Sequence, residues 1–264
     1  MRGLTGTFRR VAAALALALS AAGCAGEGTA LIGGPGGATT ASVEPGASVA
    51  AAPAQKAAFN PFSTDSEASH PAREVLQNPS RDEVMKTGSI PEFSVGRADA
   101  PVTIIKYMSL TCPYCRKFHA EVFPVLKREY IDKGLVRFVF REFPIGKTSG
   151  AATIALRCAP QSKYLELYGA FLQRQSHWVS QEVRLDAIHK VVQQVGMTRA
   201  QLDACMQNQG MIDGLKWVKE RGRKLGVIGT PNFFVENRLV KKVMDMADIR
   251  AMVDPLLAGR VARR

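Results

Sequence analysis

Two cysteines, Cys112 and Cys115, stand two residues apart in the stretch SLTCPYCRKFHAEVF, after an apolar run and before a helical pattern. Three chemistries suit that spacing: half of a tetrahedral zinc site, a structural disulfide, or a dithiol that cycles with its disulfide. For zinc, His119 adds a third ligand, but no second C-x-x-C and no H-x-x-x-H completes the set. A purely structural bond here would close a loop too short to restrain the unfolded chain much. Redox exchange needs a thiolate, and the neighbouring residues favour one. Pro113 suits the first helical position, which puts Cys112 at the helix N-terminus, where unpaired N–H groups and the dipole stabilise an anion. Cys115, one turn further in, is placed to close the disulfide and to be the buried, resolving thiol, with Cys112 the accessible, attacking one.

The flanking segments supply a strand and a helix. APVTIIKYMSL is a short β-branched apolar run with Pro at its start, which reads as a buried strand. After the cysteines an apolar stripe runs through Phe118, Val122, Leu126 and Tyr130 at helical spacing, with Pro124 expected to kink it. GLVRFVFREFP is the next strand. From Thr148 to about Leu225 amphipathic helical segments follow one another without a strand signal. GTPNFFVENRLV then reads as turn, strand, turn, strand, and MADIRAMVDPLL as a closing helix. The order β-α-β, helical block, β-β-α is that of an α/β core with an inserted helical subdomain at about 147–225, and C-x-x-C at a strand–helix junction in such a unit is a thioredoxin-like redox signature.

The ends of the chain bear on compartment. Arg2, Arg9 and Arg10 precede an apolar stretch from Val11 to Ala22 that is too short to span a bilayer, so residues 1–24 read as a signal peptide. It ends in AAGC, which resembles the lipobox of bacterial lipoproteins with Cys24 as the lipidated residue, although Ala21 stands where leucine is usual. Residues 25–88 are rich in Ala, Gly, Pro, Ser and Thr and read as a flexible tether. The folded domain is expected over 89–258, followed by a basic tail at 259–264. The net charge of +12 is dispersed without aromatic-interleaved basic runs, which argues against nucleic-acid binding. The protein is expected in the periplasm or cell envelope, where disulfides persist, as a monomer with a possible lipid anchor.

The stretches PVTIIKYMSLTCPYCRKFH, VRFVFREFP and GVIGTPNFFVENRLV, in that order, resemble the DsbA family of bacterial thiol:disulfide interchange proteins over roughly residues 90 to 258. That resemblance implies a thioredoxin-like α/β fold with an inserted helical subdomain, and a cis peptide between Thr230 and Pro231 beside the redox pair, where the backbone pairs with substrate. It implies oxidation of reduced, folding exported proteins, reoxidation by a DsbB-like membrane oxidase, and no cofactor or metal. Two departures stand out. Tyr114 occupies the second position between the cysteines, where the family often has His, and it lacks the cationic stabilisation His offers. Lys106 stands six residues before Cys112, where many members carry a buried Glu. A lysine on a buried strand must find a partner, lose its charge, or reach solvent. Pairing with Glu142, easing the ionisation of Cys115, and snorkelling to solvent are the alternatives. A disulfide isomerase or reductase, or a surface lipoprotein using the fold as a binding scaffold, are the rival functions.

Five cysteines leave an odd one in an exported chain. With Cys24 lipidated and Cys112 committed to Cys115, Cys158 and Cys205 remain. The compartment favours a structural disulfide between them over two small buried hydrophobes.

Overall fold

The structure, a computed structural model, describes residues 75–261. The expected signal peptide, Cys24 and most of the tether lie outside the described residues, as do the last residues of the basic tail.

A five-stranded sheet forms the centre. Its strands are β1 (Phe93–Val95), β2 (Val102–Met108), β3 (Val136–Glu142), β4 (Asn232–Val235) and β5 (Arg238–Val240), in the spatial order β1-β3-β2-β4-β5. β2 and β3 run parallel, and the other pairings are antiparallel. All seven residues of β2 are buried, which explains why its sequence is nearly continuous apolar rather than alternating. The two faces still separate by period two. Ile104 and Met108 join Phe138, Phe140 and Phe233 in the larger core. Ile105 and Tyr107 join Val139, Phe143 and Phe234 in the smaller one. Lys106 therefore belongs to the face of Ile104 and Met108.

The smaller core is closed by a segment that the sequence placed in the tether. A short helix, α1 (Arg81–Met85), is fixed by a reciprocal cap between Ser80 and Glu83, and it buries Val84 completely against that face. The packed unit thus begins before the expected boundary at residue 88. The stretch ASHPAREVLQNPSRDEVMKTG reads as allowing a short helix limited by its prolines, but one buried valine leaves too weak a periodic signal to show that the helix packs on the domain. Gly222 lets the opposite wall approach: a Cβ there would sit 2.6 Å from the Tyr107 ring.

The helix after the cysteines, α2, spans 113–131. It begins as α-helix at Pro113–Lys117, widens to π-helix at Phe118–Val122, tightens at Phe123–Leu126 and widens again at Lys127–Ile131. Pro124 was expected to kink this helix. Its missing donor is accommodated beside a wide turn in which the Phe123 N–H bonds to the Phe118 carbonyl. Of the expected stripe, Phe118, Leu126 and Tyr130 are buried in the larger core, whereas Val122 is only half-buried and its neighbour Phe123 is buried in its stead.

Between β3 and β4 lie only helices among the described residues: α3 (Gly146–Cys158), α4 (Tyr164–Gln173), α5 (Gln175–Trp178), α6 (Leu185–Val192), α7 (Arg199–Met206) and α8 (Gln209–Lys224), with short 3₁₀ turns. The final helix, α9 (Met246–Val261), brings Ile249 and Val253 onto the larger core. The fold is the thioredoxin-like α/β sheet with an inserted helical subdomain.

Candidate active site

β2 delivers the chain to the turn 109–111, and Pro113 then sets the first residue of α2. Cys112 becomes the N-cap, with extended backbone and with its sulfur accepting the Cys115 backbone N–H at 3.4 Å. The turn beneath it is fastened from the helical block. Ser149 of α3 bonds the Ser109 hydroxyl at 2.7 Å. Buried Gln175 donates from Nε2 to the Leu110 carbonyl at 2.7 Å and to the Cys112 carbonyl at 3.1 Å. On the other side the Thr230–Pro231 peptide is cis, and the Thr230 carbonyl accepts from the Cys112 thiol at 3.1 Å.

Neither cysteine is bonded to the other in this structure, and their settings differ. Cys112 is half-buried, whereas Cys115 is fully buried. The hydrogen bond from the Cys115 thiol does most to draw the Cys112 pKa down, to about 5. Burial works against it, and the Thr230 side chain with the backbone N–H groups of Cys115 and Tyr114 adds to the lowering. Burial pushes Cys115 the other way, well above a free thiol, and its bond to Cys112 adds to that; the Lys106 charge partly offsets both. At neutral pH the pair is one thiolate and one thiol, the state in which attack and resolution fall to different atoms.

Lys106 neither reaches solvent nor meets Glu142. It is 1% exposed, and its Nζ donates to the Tyr168 hydroxyl at 3.1 Å and to the Cys115 carbonyl at 3.5 Å. The same nitrogen lies 4.4 Å over the Phe118 ring. Burial lowers its pKa to about 8, against the pull of the Cys115 and Cys112 sulfurs. In register Lys106 faces Phe140, whereas Glu142 faces Met108 at the strand end. There Arg157 of α3 pairs with Glu142 at 3.2 Å and the Tyr164 hydroxyl of α4 donates to it at 2.8 Å. The expectation of a Lys106–Glu142 pair, reasonable for adjacent strands, is corrected by the helices that cover them.

His119, the third ligand considered for zinc, stacks on Phe123 and meets Tyr168 edge-on. Burial, then the Lys106 charge, lowers its pKa to about 4. No group of three His, Cys, Asp or Glu side chains among the described residues is placed to hold a metal ion. Tyr114, between the cysteines, is 59% exposed, and Ile228, ahead of Thr230, is 77% exposed.

Cys158, at the end of α3, and Cys205, in α7, are joined by a disulfide with their Cα atoms 6.3 Å apart. Both pack in a separate apolar cluster with Ile154, Ile212 and Leu215. Sequence reasoning missed Tyr168 and Gln175, which reach the site from the insertion. Neither residue lies in a motif, and only their place in the fold brings them to the site.

Residues 89–255 match a family model described as thioredoxin. The Bacillus anthracis protein named "Probable disulfide bond formation protein D" is 30% identical over 160 residues, 58% of this chain and 73% of that one. Among solved structures, Wolbachia pipientis α-DsbA1 superposes with a TM-score of 0.62 at 22% identity, covering 69% of this chain and 98% of that one. BdbD from Bacillus subtilis superposes with a TM-score of 0.60 at 20% identity, over 70% and 99% of the two chains. At those identities the superpositions speak for the fold.

Proposed function

Because the chain belongs to the DsbA-like disulfide oxidoreductases of the thioredoxin family, we propose that it donates disulfides to folding exported proteins through Cys112 and Cys115. In the oxidised enzyme a client thiolate attacks the Cys112 sulfur. A client–Cys112 bond forms, the Cys112–Cys115 bond breaks, and the electron pair leaves on Cys115. A second client thiolate then attacks the client sulfur of the mixed disulfide, and Cys112 departs as thiolate. The client is oxidised by two electrons and the enzyme pair is reduced; Cys115 takes up one of the two protons that the client thiols released, which leaves Cys112 as thiolate and Cys115 as thiol.

The observation that carries this reading is the asymmetry of the pair. A half-buried Cys112 with a pKa near 5 is a good leaving group and a stable product, which favours giving the disulfide away. Client backbone would run beside the cis Thr230–Pro231 peptide, with Tyr114 and Ile228 as apolar contacts on either side of it. The leader and Cys24 support export and lipid attachment, and a DsbB-like membrane oxidase would restore the disulfide.

Turnover on a reduced, unfolded client, followed by its regained activity, tests the proposal. The equilibrium of Cys112–Cys115 with glutathione tests its direction. An oxidising value with catalysed client oxidation is the expected result, and a strongly reducing value makes the protein a reductase.

A further inference from the structure

Burying an ammonium group without a carboxylate is costly, so the position of Lys106 calls for a role. Among the described residues it has no carboxylate partner: its contacts are a tyrosine hydroxyl, a peptide carbonyl and two aromatic faces. The residues opposite it in the sheet, Phe140 and Phe233, carry no charge. The titratable groups facing it are Cys112, Cys115 and His119 of α2 and Tyr168 of α4. His119 is neutral above pH 5 and burial holds Tyr168 as a neutral hydroxyl, which leaves the two sulfurs as the groups that can be anions beside it.

We propose that Lys106 is the internal counter-cation of the redox pair, whose charge meets the negative charge that arrives on Cys115 when the disulfide opens. The inference rests on the exchange reaction proposed above, but on its first step alone. When an outside thiolate attacks Cys112, the electron pair of the broken bond lands on a sulfur that is fully buried and, unaided, a poor anion. The Lys106 ammonium, bonded to that residue's own carbonyl, lowers the cost of the charge and so speeds departure of the sulfur. In the oxidised protein the sulfurs are neutral and the ammonium is an uncompensated buried charge. Opening the disulfide relieves it. Lys106 acts through Cys115 and touches no client, so it is a positioning residue.

The test is the rate at which dithiothreitol reduces the purified, oxidised full chain between pH 6 and pH 10. It is measured for the wild type and for Lys106→Met, which matches the buried stem in length. Expressed as a ratio, the two rates cancel the titration of dithiothreitol itself. The expected ratio is about tenfold in favour of the wild type below pH 7. It should fall toward one as Lys106 loses its proton, which in the oxidised protein, without the sulfur charges that raise its pKa, comes no higher than about pH 8. A second variant, Tyr168→Phe, keeps the charge and removes its hydroxyl acceptor; it should move the fall of the ratio to lower pH. A ratio near one throughout, or a ratio independent of pH, overturns the proposal, as does an unmoved midpoint in Tyr168→Phe. Client oxidation by the wild type is scored separately, and its absence would count against the proposed activity and not against Lys106.

Discussion

Cys112 and Cys115 lie one helical turn apart, unbonded in this structure, in a site where one is low in pKa and the other high. Cys158 and Cys205 lie 47 residues apart, on two helices that pack together, and they are bonded. The same side chain serves two ends. At a helix N-terminus, backbone N–H groups stabilise the thiolate, which makes the disulfide easy to open. Between helices in an apolar cluster, nothing stabilises a thiolate and the bond closes a long loop. What separates a reactive pair from a structural one is the electrostatics of the first and the loop length of the second.

The sharpest way to break that comparison is to remove one thiol of the first pair. Cys115→Ser should accumulate mixed disulfides when given a client that carries a disulfide: the Cys112 thiolate attacks that bond, one client sulfur leaves as thiolate, and no Cys115 thiol is present to resolve the product. Cys112→Ser should accumulate none and lose all turnover. Non-reducing gels of each variant exposed to client report the outcome; trapping by Cys112→Ser alone would reverse the roles. In the reduced wild type, alkylation of Cys112 by iodoacetamide should fall with a midpoint near pH 5.

Removing the second pair should act on stability and leave chemistry alone. For a closed loop of 47 residues, Cys158→Ala with Cys205→Ala should cost about 4 kcal/mol on the chain-entropy account, or roughly 10 °C in Tm. Denaturant unfolding checks the loss. The exchange rate per folded molecule should stay within about twofold of the wild type, since neither residue contacts the redox turn. A large change in that rate would dissolve the distinction between the two pairs.

Much of this was legible in the residues themselves. The strand, the C-P-Y-C turn and the helix that follows are local, and local signals carry them. The bond between Cys158 and Cys205 was legible as arithmetic in an oxidising compartment. The surroundings of Lys106 were not, because Phe118, Tyr168 and the Cys115 carbonyl come from two other elements. Glu142 looked available from strand order alone, until Arg157 and Tyr164 of the insertion claimed it. Adjacent strands can be read as neighbours; which helix covers which strand end depends on packing that no single segment encodes.

Lys106 also has a stability signature, next in size. Its pKa in the folded protein, about 8, lies below its unfolded value of 10.5. The folded state therefore binds that proton less tightly. The group contributes no penalty above pH 10.5, a growing one as pH falls toward 8, and a constant one below. The difference corresponds to about 3 kcal/mol at neutral pH. Lys106→Met should be more stable than the wild type at pH 7 by up to about that amount, with the advantage fading between pH 8 and pH 10.5. Urea unfolding of the reduced proteins across that range measures it, and a pH-independent difference would mean that packing rather than charge decides.

The smallest effect should come from the residue that connects the two regions. Gln175 stands in the helical block, yet its amide holds two carbonyls of the redox turn, those of Leu110 and Cys112. Gln175→Leu keeps the buried volume and leaves both carbonyls without that donor, which should cost about 1–2 kcal/mol. Unlike loss of the Cys158–Cys205 bond, it should also disturb chemistry. The Cys112 carbonyl accepts from the Arg116 N–H at the start of α2, so a loosened carbonyl means a loosened first turn. Cys112 would then sit less squarely over the N–H groups that stabilise its thiolate, and its alkylation midpoint should rise by a few tenths of a pH unit. A variant that loses stability with an unchanged midpoint would show that the insertion only braces the turn. A raised midpoint would show that the helical block, through one amide, helps set the acidity of the attacking sulfur.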